Sequence, residues 1–147
     1  MAMLYFAYGS NMNHALMEQR CPGCRFLKPA RLDGFRFVYD GNSVPDGGPT
    51  ANIVSSELEV VRGGLFEITE RDRLALDAVE GYPLSYERRV FEVKDDAGDV
   101  YLAWAYYRTG RAIGKPHPDF EKIVLRGAAD CRLPDDYIER YLRVVRL

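Results

Sequence analysis

The stretch Leu4-Tyr5-Phe6-Ala7-Tyr8-Gly9-Ser10-Asn11-Met12 decides how the fold is read. Its first five residues are apolar or aromatic, the mark of a short buried strand. Gly9-Ser10-Asn11 breaks that strand, and Met12 to Arg20 resumes with a helical pattern that Pro22-Gly23 ends. A strand that enters a helix through a tight turn leaves the helix's first N–H groups unpaired beside the turn. Those groups and the positive end of the helix dipole suit a carboxylate or a phosphate. The plainer reading is that Ser10 or Asn11 simply caps the helix.

Outward from this junction, Phe35, Phe37 and Tyr39 alternate with polar residues, as on a strand with one buried face. Gly41 to Pro49 reads as a loop. Glu57 to Ile68 reads as a strand interrupted at Gly63-Gly64, where a bulge or a close backbone approach is expected. Thr69 is placed to cap a helix through Glu80, with Asp72 in the position of a capping box and Gly81 as the stop. Tyr86 to Val93 and Val100 to Tyr107 read as a hairpin around Lys94 to Asp99. Two helices follow, Asp119 to Ala129 and Pro134 to about Val145. Strands fill the middle and helices flank them, so the fold class is α+β with a small mixed β-barrel.

The 147 residues fit a single domain over 1–147. An apolar share of 47% and a net charge of -2 argue against disorder. The same charge balance gives no basic stripe for nucleic acid. Apolar runs such as Val100 to Tyr107 are far short of the roughly 20 residues of a membrane span, so no membrane partner is expected. The first residues lack the basic region and cleavage site of a signal peptide. With three cysteines, at least one unpaired within the chain, a reduced cytoplasmic protein is the simplest reading.

Glu80 is the carboxylate singled out by position. On a helical wheel Leu74, Leu76, Ala75, Ala78 and Val79 form an apolar arc, with Glu80 at its edge and Asp77 turned further to solvent. Partial burial and the negative end of the helix both raise a carboxyl pKa, the tuning that a general acid/base needs. The bland alternative is a boundary carboxylate that only solvates a helix end. Cys21-Pro22-Gly23-Cys24 follows a helix, whereas a redox pair stands at a helix start. Zinc would need a second pair of ligands, and Cys131, His14 and His117 do not supply that spacing, so no metal is expected. The two histidines read as surface or loop residues, and Ser10 is in no nucleophile elbow. Trp104 and Tyr106 share one strand face and could line one end of a cavity.

Leu4 to Met12 resembles the opening signature of the γ-glutamylcyclotransferase family. The resemblance continues through Ala30-Arg31-Leu32, Phe35, Gly41-Asn42, Val61 with Gly63-Gly64-Leu65, and Leu76-Asp77-x-x-Glu80-Gly81. It runs on through Tyr86, Tyr106, Pro116-x-Pro118, Gly127-Ala128 and Leu133-Pro134, nearly the whole chain in order. It implies a small mixed barrel flanked by helices and release of 5-oxoproline from a γ-glutamyl compound. The substrate-binding residues it implies are Tyr8, Gly9, Ser10, Asn11, Tyr86 and Tyr106, and the catalytic one is Glu80. Phe120 stands where some members carry tyrosine, and the loop around Gly47-Gly48 differs in length from theirs.

The implied chemistry suits this inventory of residues. The α-amine of a γ-glutamyl group reaches its own γ-carbonyl, and holding that folded conformer captures part of the advantage of intramolecular attack. Backbone N–H groups near Gly9 to Asn11 would hold the α-carboxylate or the developing oxyanion, and Glu80 would move the proton. No cofactor, metal or covalent intermediate is required. The expected partner is a small γ-glutamyl molecule, and a homodimer is compatible with a domain of this kind. Two other readings stay open: a cyclotransferase for γ-glutamylamines such as ε-(γ-glutamyl)lysine, and a non-catalytic binding or stress-response module on the same fold.

Overall fold

The computed structural model describes residues 3–43 and 48–146, apart from the side chains of residues 42 and 43. Strand β1 is Met3–Ala7, and a single 3-10 turn, Ser10–Met12, separates it from helix α1, His14–Arg20. The two long strands β2, Arg25–Ser43, and β3, Gly48–Ile68, form the largest pairing of the molecule. Helix α2 is Glu70–Glu80, strands β4 and β5 are Glu87–Lys94 and Val100–Tyr107, and helix α3 is Pro118–Asp130. Helix α4, Asp135–Tyr137, runs on as a π-turn over Ile138–Leu142.

The strands close into a barrel in the order β1-β3-β2-β4-β5. All neighbours are antiparallel except β1 and β5, which meet in parallel with Tyr5 opposite Trp104. The α+β class with a small mixed barrel is therefore the observed architecture. The core is filled by Phe6, Phe66, Met12, Met17, Leu65 and Ile68, all essentially inaccessible to solvent. Aromatic pairs at edge-to-face angles, such as Phe37 with Tyr39 at 4.8 Å, line the same interior.

Several expectations shift. The helix after the first strand starts later than Met12, because the side chain of Asn13 accepts from Leu16 N at 3.1 Å and takes the capping role from Ser10 and Asn11. The loop expected over Gly41 to Pro49 is shorter, since β2 runs to Ser43 and β3 opens at Gly48. Residues 44–47, Gly47 among them, lie outside the described residues. No bulge falls at Gly63-Gly64, where Ala30 and Pro29 stay in register; the shifts fall between Phe26 and Lys28, Asp33 and Phe35, and Asp40 and Ser43. What Gly63 permits is a close approach, since a Cβ there would lie 2.2 Å from the Ala7 carbonyl oxygen. The last helix stops at Leu142 rather than Val145.

The segment that carries Glu80 forms as expected. Thr69 accepts from Asp72 N at 3.1 Å while the Asp72 carboxylate accepts from Thr69 N at 3.0 Å, a reciprocal cap that is typically worth about 1 kcal/mol. Gly81 ends the helix at φ 67°, a left-handed conformation that costs glycine little. The wheel is wrong about which side faces in. Leu74 and Val79 are about half exposed, whereas Asp72 and Leu76 are buried and Asp77 is engaged by other side chains. The inward face of α2 sets Leu76 beside Asp72 and Asp77, and its last two residues, Val79 and Glu80, border a cavity rather than the core.

Candidate active site

The end of β1, the turn after it, and the end of α2 converge on a cavity of about 300 Å³. Tyr8, Gly9, Ser10 and Asn11 form one wall, and Glu80, Tyr86 and Tyr106 face it. The structure thus brings together all seven residues singled out in the sequence. Trp104 is not among the walls; it lies under the Arg88 guanidinium, 5.1 Å from the ring centre, which stacks more closely on Tyr82. Phe120 of α3 does reach the cavity, beside Thr50 and Ala51 of β3.

Gly9 lies where the backbone of the turn meets β3. A Cβ at this position would come within 2.8 Å of the Ala51 Cβ, closer than side chains tolerate. The turn is pinned from the other side by α3, through Asn13 Nδ2 on the Ile123 carbonyl at 3.3 Å and His14 N on Asp130 Oδ2 at 3.0 Å. His14 also stacks against Phe26, 4.7 Å away, and His117 caps α3, so neither histidine reaches the cavity.

Asn11 is 3% exposed and is the hub of the site. Its amide nitrogen donates to the Tyr5 hydroxyl at 2.9 Å and to Glu80 Oε1 at 3.3 Å. Its amide oxygen accepts from Arg20 at 2.7 Å. Among the described residues Asn11 is the one hydrogen-bond partner of the Glu80 carboxylate. Burial pushes the Glu80 pKa above the usual carboxylate range, against the pull of Arg20, the Asn11 amide and Arg108. A carboxyl raised in this way exchanges protons closer to neutral pH.

The tyrosines are held through their hydroxyls. Tyr8 donates to the Tyr106 carbonyl at 2.6 Å, and Tyr86 donates to the Ala51 carbonyl at 2.7 Å with Thr50 Oγ1 beside it at 2.9 Å. Tyr106 donates to Asp77 Oδ1 at 2.6 Å, and Arg88 donates to the same oxygen at 2.8 Å. Burial raises the pKa of Tyr5, Tyr8, Tyr86 and Tyr106, so the walls are neutral phenols at working pH. Behind Tyr86 lies a buried ion pair, Arg108 with Asp40 at 2.7 Å, tied to Asn52 and Thr50. The Arg108 guanidinium stacks 4.4 Å from the Tyr86 ring centre and keeps that wall in place.

Sequence reasoning missed Tyr5, Arg20, Thr50 and Asp77. Arg20 closes α1 nine residues after Asn11, and no local spacing links the two. Asp77 was placed toward solvent by an apolar arc of which the fold leaves Leu74 and Val79 about half exposed.

A closed mixed barrel with a carboxyl-bearing cavity beside a strand-to-helix turn is the class of structure these residues build. Residues 5–123 match the γ-glutamyl cyclotransferase, AIG2-like family, and the chain belongs to that family. γ-Glutamylcyclotransferase of Homo sapiens is 32% identical over 146 residues, spanning 95% of this chain and 77% of that protein. The γ-glutamylcyclotransferase of Mus musculus is 29% identical over 143 residues, spanning 93% and 76% respectively. A solved γ-glutamyl cyclotransferase superposes with a TM-score of 0.89 at 28% identity, over 95% of this chain and 86% of that one. Among the described residues no helix is long and apolar enough to cross a membrane.

Proposed function

We propose that this cavity cyclises a γ-glutamyl amino acid or peptide and releases 5-oxoproline. The α-amine of the γ-glutamyl group attacks its own γ-carbonyl carbon, and a new C–N bond closes the five-membered ring. The carbonyl oxygen takes up negative charge, the bond to the leaving amine breaks, and the ring carbonyl re-forms. In becoming the lactam N–H the α-ammonium gives up two protons. One passes to solvent as the free amine forms, and the other is taken by Glu80 from the ring nitrogen after attack and given to the leaving nitrogen, so Glu80 ends as it began. Tyr8, Gly9, Ser10 and Asn11 bind the glutamyl portion, with backbone N–H groups toward its carboxylate or the developing oxyanion. Tyr86 and Tyr106 complete the enclosure and hold the folded conformer, which is where intramolecular attack gains most of its rate.

One observation carries this reading: the Glu80 carboxyl lies in the cavity beside that turn, held by a single amide and raised in pKa by burial. The family membership supports it. Three free thiols, Cys21, Cys24 and Cys131, suit a reducing compartment such as the cytoplasm. The test is 5-oxoproline release from a panel of γ-glutamyl dipeptides and γ-glutamylamines, with Glu80→Gln alongside. Product from the dipeptides that disappears in the variant is the expected result. Product from ε-(γ-glutamyl)lysine alone would move the activity to the amine class, and no product at all would favour a binding module.

A further inference from the structure

We propose that Arg20 is a positioning residue: it fixes the side-chain amide of Asn11 so that the NH2 faces Glu80, leaving the carboxylate with one oxygen held and the other open to the cavity. This role rests on the acid/base reading of Glu80 given above. It follows from donor and acceptor chemistry. A guanidinium has donors and no acceptor, so the Asn11 atom 2.7 Å from Arg20 must be the amide oxygen. The NH2 group is then turned the other way, where it meets Tyr5 at 2.9 Å and Glu80 at 3.3 Å. Without Arg20 the amide would be free to flip, and its oxygen would face a carboxylate.

The charge of Arg20 acts in the same direction. The groups that face Glu80 are Tyr5 and Tyr8 from β1 and its end, Asn11 from the turn, Arg20 from α1, Tyr86 ahead of β4, and Tyr106 and Arg108 from β5 and its end. The four phenols are neutral, and Arg108 is paired with Asp40. Among the described residues Arg20 forms no ion pair, so its charge is the one left uncompensated at the site. It also lines the cavity itself, which makes a substrate-binding role the rival explanation. The two are separable.

The experiment compares wild type with Arg20→Leu and Arg20→Lys. It reads the Glu80 carboxyl titration by 13C NMR and the pH profile of kcat and kcat/KM for 5-oxoproline release. In Arg20→Leu the Glu80 midpoint and the acid limb should both move to higher pH by on the order of one unit. In Arg20→Lys, which keeps the charge and a donor, both should stay within about 0.3 unit of wild type. Should the Leu variant melt early, Arg20→Gln carries the same test, because it too removes the charge. An unmoved midpoint in the uncharged variants overturns the inference. So does a rise in KM alone with the acid limb in place, which would make Arg20 a substrate ligand. If wild-type protein releases no 5-oxoproline, the cyclotransferase reading fails, and the carboxyl titration still decides what Arg20 does to Glu80.

Discussion

Two glutamates, each inward on a helix that flanks the barrel, end in opposite circumstances. Glu121 lies in the first turn of α3, where the helix dipole favours a negative charge. Its Oε2 accepts from Val144 N at 2.7 Å, and its Oε1 accepts from Arg146 at 3.0 and 3.3 Å. Glu80 is the last residue of α2, where the dipole opposes the charge, and it receives a single amide N–H. The first carboxylate is saturated and ties the C-terminal residues to α3. The second is under-satisfied beside a cavity and so keeps a proton exchangeable. Burial is common to both; the difference lies in how many partners each retains.

The largest effect that could break this contrast comes from exchanging each carboxylate for its amide. Glu80→Gln keeps shape and polarity but cannot cycle a proton near neutral pH, so kcat should fall by about 10²–10⁴-fold. Glu121→Gln should leave kcat near wild type while costing stability by about 1–3 kcal/mol, through loss of charge-assisted bonds to Arg146 and Val144 N. Steady-state kinetics and chemical denaturation on both variants check the pair, and the contrast collapses if Glu121→Gln is the one that loses turnover. At Glu80, stability should also respond to pH. The Glu80 pKa is raised in the folded protein, so its ionisation disfavours folding once pH rises through its folded midpoint. Glu80→Gln should therefore melt higher than wild type at neutral pH, and the gap should close below the ordinary carboxylate range. A gap that stays constant with pH would show that Glu80 is not desolvated.

The wall opposite Glu80 offers the next effect. Gly9→Ala places a Cβ against Ala51 at 2.8 Å and must displace either the turn or β3. A shift of about 1 Å in a positioning wall can cost roughly 10²-fold. Ala51→Gly removes the opposing methyl, so the double variant should recover much of the loss, an interaction that a double-mutant cycle measures directly. Additive losses would show that Gly9 is needed for some reason other than this contact.

Asp77→Asn should come third, with kcat/KM down by roughly tenfold, because Tyr106 loses a carboxylate acceptor and its ring is no longer fixed. The same change leaves Arg88 without its ionic partner, so the melting temperature should fall as well. Unchanged kinetics would mean that the Tyr106 wall is held by packing alone.

How much of this was legible from the chain alone divides along the same lines. The capping box at Thr69 and Asp72, the stop at Gly81 and the hairpin over β4 and β5 are local devices, and spacing reveals them. The seven cavity residues were found through an ordered resemblance, with Gly9 to Asn11, Glu80 and Tyr106 also marked by position. The first half of β2, Arg25 to Asp33, gave no alternating pattern, because Lys28-Pro29-Ala30-Arg31 is held extended by its pairing with β3 and, at Arg31, with β4. Asp77 was misplaced because a wheel assumes that the apolar side faces in, whereas α2 turns Asp77 toward Arg88 of β4 and Tyr106 of β5. Arg20 has its role through Asn11, a contact made only once the turn and α1 are folded together.

The smallest effect concerns Cys21 and Cys24, whose spacing invites a redox or metal role. Cys21 is the C-cap residue of α1, fully buried, with its amide on the Met17 carbonyl at 2.8 Å and its thiol 3.6 Å from the Asp72 carbonyl. Burial, with Asp72 adding to it, pushes the Cys21 thiol up to about 12, and the same two causes raise Cys24. A thiol kept protonated at neutral pH is a poor nucleophile and a poor metal ligand, the reverse of what a reactive pair needs. Among the described residues no cluster of three or more His, Cys, Asp or Glu side chains is arranged to hold a metal ion. The pair lies in the turn that leads from α1 to β2, with Cys24 N on the Cys21 carbonyl at 3.0 Å. Replacing both cysteines with serine should leave kcat within about threefold, under 1 kcal/mol in barrier. Cys21→Ser alone should lower the melting temperature slightly, as a hydroxyl replaces a buried thiol against the same carbonyl. A thiol reagent at pH 8 should label Cys24 slowly and Cys21 only on unfolding. Rapid labelling of both, or about one zinc per chain in protein purified without added metal, would make this turn a second functional site instead.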